Sequence, residues 1–230
     1  MSEIGGMVTN LTVWILPVIF AVTMHEAAHG YVARLFGDMT ASRLGRVTLN
    51  PLKHIDPFGT ILLPALCLLL PGGGLLFGYA KPVPVNFRAF KHPRPATVAV
   101  AIAGPGINVV LAFLSMLAMH LIPATVSAGT AWIIQNLYNS AEINVWLAVL
   151  NMLPIPPLDG GRILVAISPK PLAVKLAALE GAGILIVLAI IFLPRVIGAQ
   201  FGQNWDLFAI LVGGPAEWLF HLLARLSGAG

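Results

Sequence analysis

The chain has 230 residues, 58% hydrophobic and 10% charged, with a formal net charge of +4 at pH 7. Soluble domains carry about 25% charge, so at a mean hydropathy of +0.89 a soluble enzyme is excluded, and the expectation is a polytopic membrane protein with no room for an appended soluble module. A single cysteine, Cys67, excludes a disulfide framework and a cysteine-rich metal site, and the excess of lysine and arginine reports membrane orientation, with no nucleic-acid partner implied.

The expected fold class is an all-α polytopic membrane protein. One membrane-embedded domain covers 1–230, with a core at about 11–165 and supporting helices at 172–226. Five segments suit spanning helices of roughly 20 residues: about 11–35, 96–122, 131–153, 172–194 and 206–226. The leading "MSEIGGMVTN" lacks a basic n-region and the first apolar segment lacks a convincing cleavage site. That segment is expected to be a retained helix, not a signal peptide.

The first span ends in "VTMHEAAHGYV" (22–32). Ionisable residues in hydrocarbon are costly and usually functional. His25 and His29 stand at i and i+4 and share a helix face. Two imidazoles there can bind one zinc, and Glu26 can stand beside the activated water as general base. The alternative is three polar groups satisfied by hydrogen bonds within a helix–helix interface.

"HIDPFGT" (54–60) reads as a helix start, with Asp56 as N-cap and Pro57 at the first helical position. The following stretch, 59–80, is apolar up to Pro71 and is then broken by Gly72, Gly73 and Gly74, which suits a re-entrant segment. Loop charge separates the two topologies. If 59–80 dips and returns, 12 of the 13 lysines and arginines fall on the cytoplasmic side, Arg195 being the exception. If it spans, the better orientation leaves only 8 of 13 inside. The positive-inside rule selects the re-entrant form.

"FGYAKPVPVNFRAFKHPRP" (77–95) is extended in character, because Pro82 and Pro84 forbid a helix interior but suit an edge strand. A short surface β strand or hairpin is expected near 79–90. An edge strand at 79–86 could hold an extended substrate by strand addition. On the 131–153 helix, Asn136, Ser140, Asn144 and Asn151 form a loose polar stripe. It either faces a hydrated cavity or makes interhelical hydrogen bonds.

Catalytic zinc needs a third protein ligand and an open position. Among the few remaining acids, Asp159 in "NMLPIPPLDGGRIL" (151–164) stands out. Pro154, Pro156 and Pro157 stop the preceding helix, and Gly160 and Gly161 permit close backbone approach. Irregular backbone at membrane depth is tolerated only where it is buried in protein or lines a wet cavity. In the re-entrant topology Asp159 arrives near the leaflet that holds the two histidines, on the cytoplasmic side. Glu217 and His221, i and i+4 on the last helix, read more simply as an interhelical polar contact with Arg225 snorkelling to the interface.

"HEAAH" (25–29), "AGPGIN" (103–108) and "NMLPIPPLDG" (151–160) resemble the site-2 protease family of intramembrane zinc metalloproteases. "NPLKHIDPFGTI" (50–61) and "GYAKPVPVN" (78–86) are similar to its small prokaryotic members without an accessory peptide-binding domain. The resemblance runs from about residue 20 to 165. It implies His25, His29 and Asp159 as ligands of one Zn2+ per chain, Glu26 as the base, and cleavage of peptide bonds in or near transmembrane segments. It also places Asn108 and Asn151 near the site, as catalytic donors to a developing oxyanion; for each the alternative is a buried amide joining two helices. The implied partners are a transmembrane protein or peptide substrate and the lipid bilayer, and the implied location is the cell membrane, multi-pass. A zinc-binding transport or scaffold protein would use the same ligands without needing Glu26 as a base.

Overall fold

The computed structural model describes residues 3–62, 80–123 and 127–228, and these are mostly helical. Helix α1 (Glu3–Leu35) carries the HEAAH sequence in its last third and has Arg34 in its last turn, where a positive charge suits a helix C-terminus. After the single turn α2 (Thr40–Arg43), the chain reaches α3 (Pro93–Met119), which opens on a proline at its first position. Helix α4 (Ala128–Asn151) opens on a capping box: Thr130 N–H donates to Ser127 Oγ at 3.1 Å and Ser127 N–H donates to Thr130 Oγ1 at 2.8 Å. Beyond it lie α5 (Asp159–Ile167), α6 (Lys170–Ala178), α7 (Gly183–Gln200) and α8 (Gly214–Ser227).

Helices α1, α3 and α4 pack against one another, and α5 packs on α3. Small side chains allow this. Ala21, Ala33, Ala96, Ala112 and Ala141 are all 0% exposed, and small residues let helix backbones approach where lipid supplies no hydrophobic drive. Hydrogen bonds between helices give their directions. Trp132 Nε1 donates to Thr12 Oγ1 and Asn139 Nδ2 to the Val13 carbonyl, so α1 and α4 start at the same end. Helix α3 runs the opposite way. Its first turns meet the end of α1 in a cluster of Ala33, Phe90, Ala96 and Val100, and its later part meets α4 and α8 around Met116, Val145 and Leu223.

Among the described residues, two helices are long and apolar enough to cross a membrane, Thr12–Leu35 and Pro93–Met119. A third is counted if Lys170–Ala182 and Leu185–Gln200, bent by 73°, form one span. The expected helices at 131–153 and 206–226 fall short for different reasons. Helix α4 has the length, but Gln135, Asn136, Asn139, Glu142 and Asn144 dilute its apolar character. The last segment is divided at the π-type turn Ala209–Gly213, leaving α8 with 14 residues.

No β strand forms among the described residues, which corrects the strand or hairpin expected near 79–90. Pro82 and Pro84 have no N–H for a ladder. Three of the other N–H groups are used elsewhere: Lys81 N–H bonds the His54 carbonyl, Val83 N–H bonds Glu26, and Asn86 N–H bonds Asp38. Residues 80–86 thus form a non-repetitive strap, followed by a 3-10 turn at Phe87–Ala89. Asp56 caps as expected, accepting from Phe58 N–H and Gly59 N–H, but the element it caps is the π-type turn Pro57–Leu62. Most of the 59–80 segment, residues 63–79, lies outside the described residues.

Candidate metal centre

Two helices, α1 and α5, bring His25, His29 and Asp159 together. The histidines are one turn apart on α1, 7% and 5% exposed. Asp159 is 4% exposed and is the first residue of α5, a regular helix start where irregular backbone was expected. Its position depends on Gly160 and Gly161. A Cβ on Gly160 would lie 2.2 Å from the Met152 carbonyl oxygen, and one on Gly161 2.3 Å from Pro156 N. Only bare glycine backbone lets the start of α5 press against the 152–156 loop, and that seats Asp159 opposite α1.

The three inward atoms form a compact triangle. His25 Nε2 and His29 Nε2 are 3.1 Å apart, and each is 3.3 Å from Asp159 Oδ2. Tetrahedral ligands bonded to zinc at about 2.0–2.1 Å stand about 3.3 Å from one another, so the triangle has the dimensions of one face of that tetrahedron.

Protonation makes the same point. His29 Nδ1 lies 2.7 Å from the Val100 carbonyl oxygen, which can only accept, so Nδ1 carries the hydrogen. His25 Nδ1 lies 2.6 Å from Asn108 Oδ1 and donates likewise. In the neutral imidazoles both Nε2 atoms are then bare lone pairs aimed at a carboxylate oxygen. Asp159 Oδ2 is sealed from solvent and finds no hydrogen-bond donor among the described residues. Three acceptors facing one another in a dry site need a cation between them.

Room for that cation comes from α3. A Cβ on Gly104 would sit 2.4 Å from His29 Nε2 and 2.6 Å from His25 Nε2. Glycine therefore leaves open the space into which both lone pairs point. The donor set of two imidazoles and a carboxylate is that of catalytic zinc sites, and among the described residues it is the one group of three metal-binding side chains found together.

Glu26 is half-buried beside the triangle, and its Oε2 accepts the Val83 N–H at 2.7 Å. The strap that delivers this N–H is fastened on both sides. Arg46 Nη2 donates to the Lys81 carbonyl at 2.8 Å, and Asp38 accepts Asn86 N–H at 2.6 Å and Thr40 N–H at 2.9 Å. Burial alone would push the Asp38 carboxyl up, but these hydrogen bonds outweigh it and hold the group below the usual carboxylate range. On the far side of Asp159, Arg162 Nη1 stands 3.9 Å from Oδ1.

The two asparagines singled out in the sequence part company. Asn108 touches the site through His25. Asn151 Nδ2 turns back to the Leu147 carbonyl of its own helix at 2.9 Å. The polar stripe on α4 divides evenly: Ser140 Oγ meets Ser115 Oγ at 2.9 Å and Asn144 meets Asn108 on α3, whereas Asn136, like Asn151, bonds a carbonyl of its own helix, that of Trp132. Sequence reasoning missed the roles of Gly104, Val83 N–H and the Val100 carbonyl. The motif "AGPGIN" contains Gly104 but gave it no role of its own; the other two are main-chain groups.

Residues 13–125 and 120–194 match the family described as peptidase family M50. The chain is 42% identical over 184 residues to "Putative zinc metalloprotease YwhC" of Bacillus subtilis, covering 78% of this chain and 80% of that protein. It is 30% identical over 221 residues to "Putative zinc metalloprotease Rip2" of Mycobacterium tuberculosis, covering 92% and 75%. Similarity to "Zinc metalloprotease MJ0392" of Methanocaldococcus jannaschii is 25% over 150 residues, covering 65% of this chain and 32% of that protein. No solved structure gives a significant match.

Proposed function

The chain belongs to peptidase family M50 and is a zinc metalloprotease, and from that premise we propose that it hydrolyses peptide bonds in or near transmembrane segments of membrane proteins. The observation that carries the reading is the dry triangle of His25, His29 and Asp159 over Gly104, with Glu26 alongside. These three residues would hold the zinc. When bound, the zinc supplies Lewis acidity, lowering the pKa of water toward about 7 and polarising the scissile carbonyl.

The chain's own groups do the rest. Glu26 takes a proton from the attacking water and later passes it to the leaving amine. One of its oxygens is fixed by Val83 N–H, which leaves the other to face the reacting atoms. Asn151 is the remaining candidate to stabilise the oxyanion; its amide nitrogen donates to the Leu147 carbonyl of its own helix and would have to leave that bond to serve the site. Asn108 serves the site through His25. The strap at 80–86 lies beside Glu26, where an extended substrate backbone would have to be laid for cutting.

The proposed membrane arrangement has about five spanning helices in a single domain, with 59–80 re-entrant and the site near the cytoplasmic face. The antiparallel pairing of α1 and α3 supports this, since the chain leaves the bundle at residue 36 and rejoins it at the same end. Loop charge supports the orientation.

Membrane proteomics comparing wild type with Glu26→Gln tests the function. Transmembrane precursors should accumulate in the variant. If no precursor changes while zinc is retained, the protein handles zinc without proteolysis, since transport or scaffolding does not need the base.

A further inference from the structure

Asn108 and Asn144 are both 0% exposed, so neither amide can be satisfied by solvent. An asparagine amide has a donor end and an acceptor end of nearly the same shape. Which end faces which neighbour is decided by a chain of contacts that starts on main chain. Asn144 Nδ2 lies 2.8 Å from the Ser140 carbonyl oxygen, which can only accept, so that end must be the NH2. The other end, Oδ1, lies 2.6 Å from Asn108, so the Asn108 atom there must donate. The Ala21 carbonyl, 3.4 Å from the same Asn108 nitrogen, asks for a donor too. Asn108 Oδ1 is then left for His25 Nδ1 at 2.6 Å.

We propose that Asn144 and Asn108 form a directional amide relay that fixes the tautomer of His25, and that both are positioning residues for the metal centre. The proposal rests on the reading of His25 as a zinc ligand. His29 needs no such device, because a main-chain carbonyl, that of Val100, sets its tautomer directly. His25 has only a side-chain amide in that place, and an amide alone can flip. Flipped, Asn108 offers N–H to Nδ1, the imidazole hydrogen moves to Nε2, and the lone pair that should meet the metal is lost. Asn144, anchored on Ser140 one turn behind it, prevents the flip without touching the histidine.

The test is zinc affinity of the purified protein in detergent, measured by competition with a chromophoric chelator. Removing a hydrogen-bond partner of a metal ligand costs tenfold to a hundredfold in affinity. Asn108→Ala should show that loss, and Asn144→Ala a loss of tenfold or more. In an Asn108→Asp background, Asn144→Ala should lose nothing, because a carboxylate has two acceptor ends and no wrong way round. Asn139→Ala removes another buried amide of α4, one that donates to the Val13 carbonyl, and should leave zinc affinity unchanged. Asn144→Leu, closer in volume, stands in if the alanine variant does not fold.

The relay is overturned if the Asn144 variants bind zinc within twofold of wild type. It is equally overturned if they lose as much in the Asn108→Asp background, or if Asn139→Ala loses as much as they do. Unchanged affinity in His25→Ala overturns the ligand assignment itself, and the relay with it; a loss in His25→Ala with none in Asn144→Ala overturns the relay alone.

Discussion

The main-chain N–H of Val83 donates to Glu26 Oε2 at 2.7 Å, joining residues 57 positions apart. The strap therefore does for Glu26, the proposed base, what the backbone of an oxyanion hole does for a substrate: it supplies a donor that no side-chain substitution can remove, except proline. A hydrogen bond to a charged group is worth about 1.5–3 kcal/mol. Val83→Pro deletes the N–H in a strap already extended by Pro82 and Pro84, so kcat/KM on a defined peptide should fall about tenfold to a hundredfold. Zinc content should stay at the wild-type level. Full turnover in this variant would remove the strap from the catalytic machinery.

Gly104 and Gly106 stand two residues apart on α3 and make opposite predictions. A Cβ at 104 would fall 2.4 Å from His29 Nε2, whereas one at 106 would meet nothing within 4 Å. Gly104→Ala should abolish stoichiometric zinc, measured by atomic absorption, because the methyl takes the space the ligands leave for it. Gly106→Ala should keep its zinc and gain about 0.4–1 kcal/mol of helix stability, read as a small rise in Tm. Zinc retained in Gly104→Ala would show that the triangle can open to another geometry.

The parts of this site that were legible in the sequence are those that carry a residue-type signal. His25 and His29 announce themselves by i, i+4 spacing on an apolar helix, and Asp159 by its glycine and proline surroundings. Loop charge and the need for those residues to meet called for the same chain path, and the pairing of α1 with α4 through Val13 and Asn139 agrees with it. Main-chain groups carry no such signal, so Val83 N–H and the Val100 carbonyl could not be read. Proline misled as much as it informed: Pro82 and Pro84 announced extended backbone correctly, yet their missing N–H groups are what kept 80–86 out of any ladder. On α4 the sequence grouped four polar residues, but helical spacing alone could not separate Asn144, facing Asn108, from Asn136, which bonds only its own helix.

The fastening of the strap should depend on pH through Asp38, which is 1% exposed and accepts from Thr40 N–H and Asn86 N–H. Its carboxyl titrates below the ordinary value of 3.8 in the folded protein. A group whose folded value is depressed contributes its stability above the unfolded value and loses it as pH falls through the folded one. Strap protection should thus be constant through neutral pH and collapse only below about pH 4. Hydrogen exchange of the Lys81–Asn86 amides across pH, corrected for intrinsic rate, reads this directly. Asp38→Asn should exchange faster at pH 7 and show no acid transition; a wild-type transition centred near pH 6 would point to another group.

Asp159 Oδ2 has two imidazole lone pairs 3.3 Å away and no donor. Without a cation, at a pH where the imidazoles are neutral, the carboxylate is a liability to folding; with one, it is a ligand. Asp159→Asn should therefore cross over in stability. At pH 8 in excess chelator the amide can turn an N–H toward an Nε2 lone pair, putting a hydrogen-bond donor where a carboxylate oxygen faces two lone pairs, and the variant should melt above wild type, on the order of 1–3 kcal/mol more stable. At pH 8 with saturating zinc the order should reverse, because ligand binding to the native state stabilises by RT ln(1 + [L]/Kd) and the variant binds more weakly. Thermal unfolding of both proteins in both buffers measures it. Parallel curves, with the variant below wild type in chelator as well as in zinc, would mean that Asp159 is held by donors of its own and that the triangle is not strained for want of a cation.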